Sequence, residues 1–190
     1  MSSEVAPADL PDDFYEKIHS RLQQIIYEEL REARHVVDIG CGDCGLAKYL
    51  IEVGDDQRVT GVDSGAAKIA ESEEAVEESE GRLLCIEADA AHLDCLADEV
   101  AEAVVMTRAL HEMADPAAVL AEVKRVLRSG GKLLIVDFPR DSLAQRLWDE
   151  DYFAPDEVEA MLRAAGYSGV AVSLIERGQM IWATGLKLAG

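Results

Sequence analysis

Near the start of the chain, Leu10, Phe14, Ile18, Leu22, Ile26 and Leu30 recur every four residues. That spacing predicts an amphipathic helix, and Asp12 and Asp13 suit the positive end of its dipole. The pattern then changes to short unbroken apolar runs. His35 to Ile39 reads as a buried strand that ends in a glycine cluster, and Leu46 to Val53 as a helix. Arg58 to Asp63 reads as a second strand, with Ser64 as the N-cap of the next helix. That helix carries Glu71, Glu73, Glu74, Glu77, Glu78 and Glu80, a solvated acidic face. Arg82 to Ala88 and Glu102 to Thr107 read as the third and fourth strands.

Asp115-Pro116 opens a helix, Asp as cap and Pro in the first turn. Its apolar face is Val119, Leu120, Val123, Val126 and Leu127, and Ser129-Gly130-Gly131 stops it. Lys132 to Phe138 is a fifth strand. Val158, Met161, Leu162 and Ala165 mark a late helix ending at Gly166. Gly169 to Ile175 and Met180 to Leu188 close the chain as strands, joined by a turn at Arg177-Gly178. Strands alternating with helices predict an α/β fold, a doubly wound seven-stranded sheet covered on both faces. The sheet is mostly parallel, and the terminal hairpin requires an antiparallel strand.

Length and composition narrow the function. The chain has 190 residues, which favours one domain. It divides into an N-terminal helical cover (1–33), a ligand-binding core (34–138) and C-terminal helices with the hairpin (139–190). Lys plus Arg is 18 against 38 for Asp plus Glu, a net charge of −20. That excludes a nucleic-acid partner, which needs clustered Lys and Arg, and argues against docking on anionic lipid. No run approaches the roughly 20 apolar residues of a membrane helix. Met1 to Pro11 lacks a basic stretch followed by an apolar run, so no signal peptide is expected and the protein is read as cytoplasmic. Its four scattered cysteines suit free thiols in a reducing compartment. The expected partner is a small-molecule substrate, and the expected state a monomer or homodimer.

The strongest local signal is Asp38-Ile39-Gly40-Cys41-Gly42-Asp43-Cys44-Gly45. Gly40, Gly42 and Gly45 fit G-x-G-x-x-G, which would suit an NAD(P)-dependent oxidoreductase with Asp63 on a ribose. Asp38, however, would sit badly beside a pyrophosphate. The chain also lacks a Tyr-x-x-x-Lys pair and a second domain for a hydride acceptor. Val37-Asp38-Ile39-Gly40-Cys41-Gly42 instead resembles the first motif of class I S-adenosylmethionine-dependent methyltransferases. The family's third glycine falls on Cys44. Val59 to Ser64 resembles the family's second strand, and Ile86-Glu87-Ala88-Asp89-Ala90 its third. Val104 to Pro116, followed by Arg125 to Ile135, is similar to small-molecule methyltransferases of the ubiquinone/menaquinone-biosynthesis type.

The resemblance implies a Rossmann-like fold and S-adenosylmethionine as cofactor. It also implies methyl transfer to a small-molecule acceptor by in-line displacement. Cofactor contacts carried over are Asp38, Gly40, Cys41, Gly42, Asp63, Ser64, Asp89, Ala90 and Thr107. Asp63 would take the ribose hydroxyls and Asp89 the adenine amino group. Such a protein mainly aligns its reactants and excludes water. A base is needed only if the acceptor loses a proton. His111, after the fourth strand, is the candidate, with Asp43 and Glu112 as weaker ones.

No metal is expected, because the acidic Mg²⁺ ligands of catechol-type enzymes are missing after the fourth strand, and Cys41, Cys44, Cys85 and Cys95 have poor zinc spacing. Met106-Thr107-Arg108-Ala109 replaces the Asn/Asp-Pro-Pro-Tyr of DNA-base and glutamine amino methylases. Tyr15, Arg108 and Arg140 are candidate substrate contacts. Phe14, His19, Pro139, Trp148, Tyr152 and Phe153 form the rest of the acceptor cover, and two or three of this set are expected to touch ligand. A protein that binds the cofactor without transferring its methyl group, as a sensor or partner subunit, is the alternative.

Overall fold

In the parallel strands, neighbouring residues are buried on opposite faces of one sheet. Val37, Ile39, Val104, Met106, Leu133 and Ile135 join one core cluster, and Val36, Ala103, Val105, Leu134 and Val136 join another. This explains why the runs read as continuously apolar: a sheet covered on both faces has no wet side. The computed structural model describes residues 10–188. The expected absence of a leader and the two ends of the expected domain fall partly or wholly outside these residues.

The strands are β1 (His35–Ile39), β2 (Arg58–Asp63), β3 (Leu83–Glu87), β4 (Ala101–Thr107), β5 (Leu127–Asp137), β6 (Ser168–Ile175) and β7 (Met180–Leu186). The helices are α1 (Phe14–Leu30), α2 (Gly45–Val53), α3 (Ala66–Ala70), α4 (Glu73–Glu78), α5 (Pro116–Val126), α6 (Leu143–Trp148) and α7 (Pro155–Ala164). They build a seven-stranded sheet in the order β3-β2-β1-β4-β5-β7-β6. β1 through β5 pair in parallel, and β7 lies antiparallel between β5 and β6. This is the doubly wound, Rossmann-like arrangement expected from the pattern. Helices α5 and α7 pack on the first cluster, and α1 and α2 on the second. Among the described residues, no helix is long and apolar enough to cross a membrane.

From β1 the chain winds outward to β3, then restarts at β4 on the other side. A crevice therefore opens beyond the carboxyl ends of β1 and β4, where such sheets hold ligands. Ile39 is in register with Met106, so the glycine loop and the residues after Thr107 meet there.

Local chemistry explains several departures from the pattern. Ser64 is not an N-cap; Gly65 holds that position, and its N–H donates to Asp63 Oδ1 at 2.8 Å. The expected acidic helix is two short helices. Buried Ser72 separates them, its hydroxyl donating to the Ile69 carbonyl at 2.6 Å. Such a bond competes with helix continuation. Ser129-Gly130-Gly131 is part of β5 instead of an interruption, because Gly130 N–H donates to Lys187 O and Lys187 N–H to Gly131 O. Helix α6 is a further element, too short for a periodic signal; it buries Leu143 and Ala144.

The start of α5 is as expected. Asp115 Oδ1 accepts from Ala118 N–H at 3.0 Å, with Pro116 in the first turn. Asp115→Ala is expected to cost about 1 kcal/mol. Thermal melting followed by circular dichroism would read this as a Tm lower by about 2–4 °C.

Candidate functional site

The loop between β1 and α2 uses its glycines for two different reasons. Gly40 has φ +71°, and a Cβ there would stand 2.5 Å from Ala109 Cβ. Its lack of a side chain lets β1 approach the segment after β4. Gly42 has φ +56° and faces open space. Cys44 occupies the left-handed region, φ 59°, at the position to which the resemblance assigns a third glycine. The strain of that conformation is borne by a residue whose sulfur is anchored.

The anchor corrects the expectation of free thiols. Cys44 and Cys85 form a disulfide across 41 residues of sequence, and Cys41 Sγ lies 3.4 Å from Cys44 Sγ. Cys41 and Cys95 are free, Cys41 buried and Cys95 exposed. Burial, with the charges of Asp38 and Asp63, pushes the Cys41 thiol far up. Gly61 makes room for the cluster, since a Cβ there would lie 2.7 Å from Cys44 Sγ and 2.8 Å from Cys41 Sγ. Scattered sequence spacing gave no hint of this, because the three sulfurs meet only when β3 is placed beside β2.

Asp63 binds the loop from the neighbouring strand. Its Oδ2 accepts from Gly42 N–H at 2.9 Å and its Oδ1 from Gly65 N–H. Asp38 is fully buried, and neither carboxylate oxygen has a hydrogen-bond partner. Burial first, then the charge of Asp63, raises its pKa to about 7, with Arg108 opposing. An orphaned buried carboxylate beside an open loop fits a cationic ligand group.

A cleft of about 670 Å³ opens over the loop. Of the residues singled out from the sequence as site candidates, Tyr15, Gly40, Cys41, Gly42, Asp43, Thr107, Arg108, His111 and Glu112 line it. Asp38, Asp63, Ser64, Asp89 and Ala90 do not form its wall. Asp89 is exposed at the end of β3, accepting from Ala91 N–H at 2.9 Å. Ala90 is buried in the core. Arg140, expected as a substrate contact, is not among the residues that line the cleft. Its guanidinium donates to Glu157 Oε2 at 2.7 Å, a carboxylate that also caps the start of α7 through Ala154 N–H. Of the expected cover, Tyr15, His19 and Trp148 reach the cleft, while Phe14 packs with Leu10 and Leu143.

His111 lies just past β4, in a one-turn helix (Leu110–Glu112). Its Nδ1 is 2.7 Å from Asp137 Oδ1, and its backbone N–H donates to Asp137 Oδ2 at 3.1 Å. An Nδ1–H donated to that carboxylate leaves Nε2 as the nitrogen turned to other groups. Glu150 Oε2 lies 3.4 Å from Nε2 and Glu112 Oε1 3.8 Å. Tyr152 packs on the imidazole, with ring centres 4.6 Å apart. Burial lowers the His111 pKa, but hydrogen bonding to Asp137 and the charges of Asp137, Glu112 and Glu150 outweigh it, leaving a net rise above 6.5. Asp137, at the end of β5, was missed from the sequence. An acid at a strand end was the available signal, but only the β4–β5 pairing brings it to His111. Among the described residues, no group of three or more His, Cys, Asp or Glu side chains is arranged to hold a metal ion.

Comparison with known proteins agrees with this geometry. Residues 37–135, more than half of the chain, match the family model described as a methyltransferase domain.

The chain belongs to this methyltransferase family.

Solved structures of similar fold include a methyltransferase described as SAM dependent from Aquifex aeolicus, 21% identical, with a TM-score of 0.72, matching 95% of this chain and 100% of that one. A Haloferax volcanii protein in complex with the Trm112 methyltransferase activator is 17% identical, with a TM-score of 0.76, over 94% and 95% of the two chains. At these identities the likeness speaks for the fold alone. An uncharacterized 37.1 kDa protein in transposon TN4556 of Streptomyces fradiae is 34% identical over 125 residues, 60% of this chain. The chain spans about a third of that relative's length. Family and fold together make this a class I S-adenosylmethionine-dependent methyltransferase domain. The open Gly42, the cleft and the unpartnered Asp38 suit that cofactor.

Proposed function

We propose that this methyltransferase domain acts on a small-molecule acceptor, without a metal ion, and that His111 is its general base. The observation that carries the reading is the His111–Asp137 pair in the same cleft as the glycine loop. Bound S-adenosylmethionine supplies a methyl group on a positively charged sulfur, already activated for displacement. The chain's own residues do the rest. Gly40, Cys41, Gly42 and Thr107 shape the seat, and Asp38 supplies negative charge beneath it. Asp63, Ser64, Asp89 and Ala90, at the ends of β2 and β3, are assigned to the ribose and adenine. Arg108 lines the cleft, and its charge reaches Asp38. Asp137 holds the imidazole by Nδ1, and Nε2 accepts the proton that the acceptor releases.

Isothermal titration tests the cofactor. S-adenosylhomocysteine is expected to bind, and NAD and NADP not to. Binding of NAD without S-adenosylhomocysteine would overturn the reading in favour of an oxidoreductase. Methylation of any member of a metabolite panel by purified protein, undiminished by EDTA, is the expected activity and excludes a purely cofactor-binding module.

A further inference from the structure

We propose that the acceptor is a cationic amine carried on a flat apolar body. The inference rests on the cofactor and base reading above and names the substrate class of the same cleft. Its first support is charge. Glu150 and Glu112 flank the Nε2 face of His111, at 3.4 and 3.8 Å, and neither pairs with a Lys or Arg among the described residues. Glu150 Oε2 also accepts from Tyr152 Oη at 3.0 Å, which aims it across the imidazole. With Asp137 behind the ring, three carboxylates face one imidazole. Even protonated, His111 leaves this end of the cleft negative.

The cations that share the lining, Arg108 and Lys68, form no ion pair with either glutamate. The Arg108 charge is felt by Asp38 under the glycine loop, and the Lys68 side chain packs beside Gly65. A phenol would have to become an anion between two carboxylates. A carboxylate-bearing acceptor would meet like charge. An ammonium offers up to three donors, enough to meet Glu112, Glu150 and the neutral Nε2 together.

The second support is the wall. Tyr15 and Trp148 stack at 5.4 Å with 27° between their planes, and Phe138 packs against both. Trp148 keeps 46% of its surface exposed. Aromatic faces beside carboxylates attract organic cations and accommodate flat rings. His111 Nε2 first takes a proton from the ammonium, which frees the nitrogen's lone pair. That pair forms the bond to the methyl carbon as the donor's carbon–sulfur bond breaks and its electron pair stays on sulfur. Half-exposed Glu150 connects Nε2 to solvent.

The test is calorimetric titration of protein saturated with S-adenosylhomocysteine at pH 7. Benzylamine and phenethylamine are compared with benzyl alcohol, 4-ethylphenol and phenylacetate. The amines are expected to bind at least tenfold more tightly than the neutral and anionic probes. The double variant Glu112→Gln, Glu150→Gln is expected to abolish that preference while its affinity for S-adenosylhomocysteine stays within about twofold. Equal or tighter binding of the phenol or the carboxylate, or binding of neither amine, overturns the amine inference alone. Failure of S-adenosylhomocysteine itself to bind overturns the cofactor reading, and this inference with it.

Discussion

His111→Ala is expected to lower kcat for methyl transfer by roughly 10²–10⁴-fold, the usual contribution of a positioned general base. Affinity for S-adenosylhomocysteine should change little, because the imidazole faces the acceptor end of the cleft. The groups that face His111 are Asp137, Glu112, Glu150 and the ring of Tyr152. Burial pulls its pKa down, and the carboxylates, Asp137 foremost, push it further up. The active form is neutral, so kcat/KM should rise with pH through a midpoint above 6.5. The imidazolium is favoured in the folded state. Its contribution to stability is therefore complete below the unfolded pKa and is lost as pH rises through the folded one. The same rise in pH that activates the base slightly loosens the fold. Asp137→Asn removes the main upward influence and should move the rate midpoint to lower pH, a change that a merely structural role would not produce. A His111→Ala protein turning over within twofold of the parent would remove the base from the mechanism.

Asp38→Asn is expected to act in opposite directions on fold and ligand. The native carboxyl has its pKa raised to about 7 from 3.8, chiefly by burial. The unfolded chain ionises near the lower value. Between the two, the native state holds a proton that the unfolded state has lost, so stability falls as pH rises through this window. At pH 8 the cost is on the order of a few kcal/mol, since each pKa unit is worth about 1.4 kcal/mol. Asn removes the charge, and the variant should melt several degrees higher than the parent at pH 8 but not at pH 4. Affinity for S-adenosylhomocysteine should fall at least tenfold, because the cationic amino group of that ligand loses its buried counter-charge. Differential scanning calorimetry and titration on one preparation read both effects. An unchanged Tm at pH 8 together with unchanged affinity would show that Asp38 is neither strained nor used.

Sequence and structure agree most closely where a single local rule governs. β2 runs from Arg58 to Asp63 as read from its apolar run, and α5 starts at the Asp115 cap. Agreement is weaker where a local signal met a stronger neighbour. Gly130 and Gly131 looked like a stop, yet pairing with Lys187 draws them into β5. Ser64 looked like a cap, yet Asp63 supplies the acceptor at that turn. Arg140 looked free for substrate and is held by Glu157.

The amino-acid sequence by itself determined the alternation of strands and helices, the glycine loop after β1 and hence the family. These follow from periodicity and from backbone conformations only glycine adopts easily, and both are written within a few consecutive residues. It also marked His111, because the end of β4 was legible. What surrounds that histidine was decided only by tertiary structure. Asp137 comes from β5, Glu150 from the segment after α6, and Tyr15 from α1, each distant in sequence. The Cys44–Cys85 bond and the orphaned charge of Asp38 are of the same kind. Pairings, burial and electric field depend on which elements lie side by side, and no local pattern encodes that.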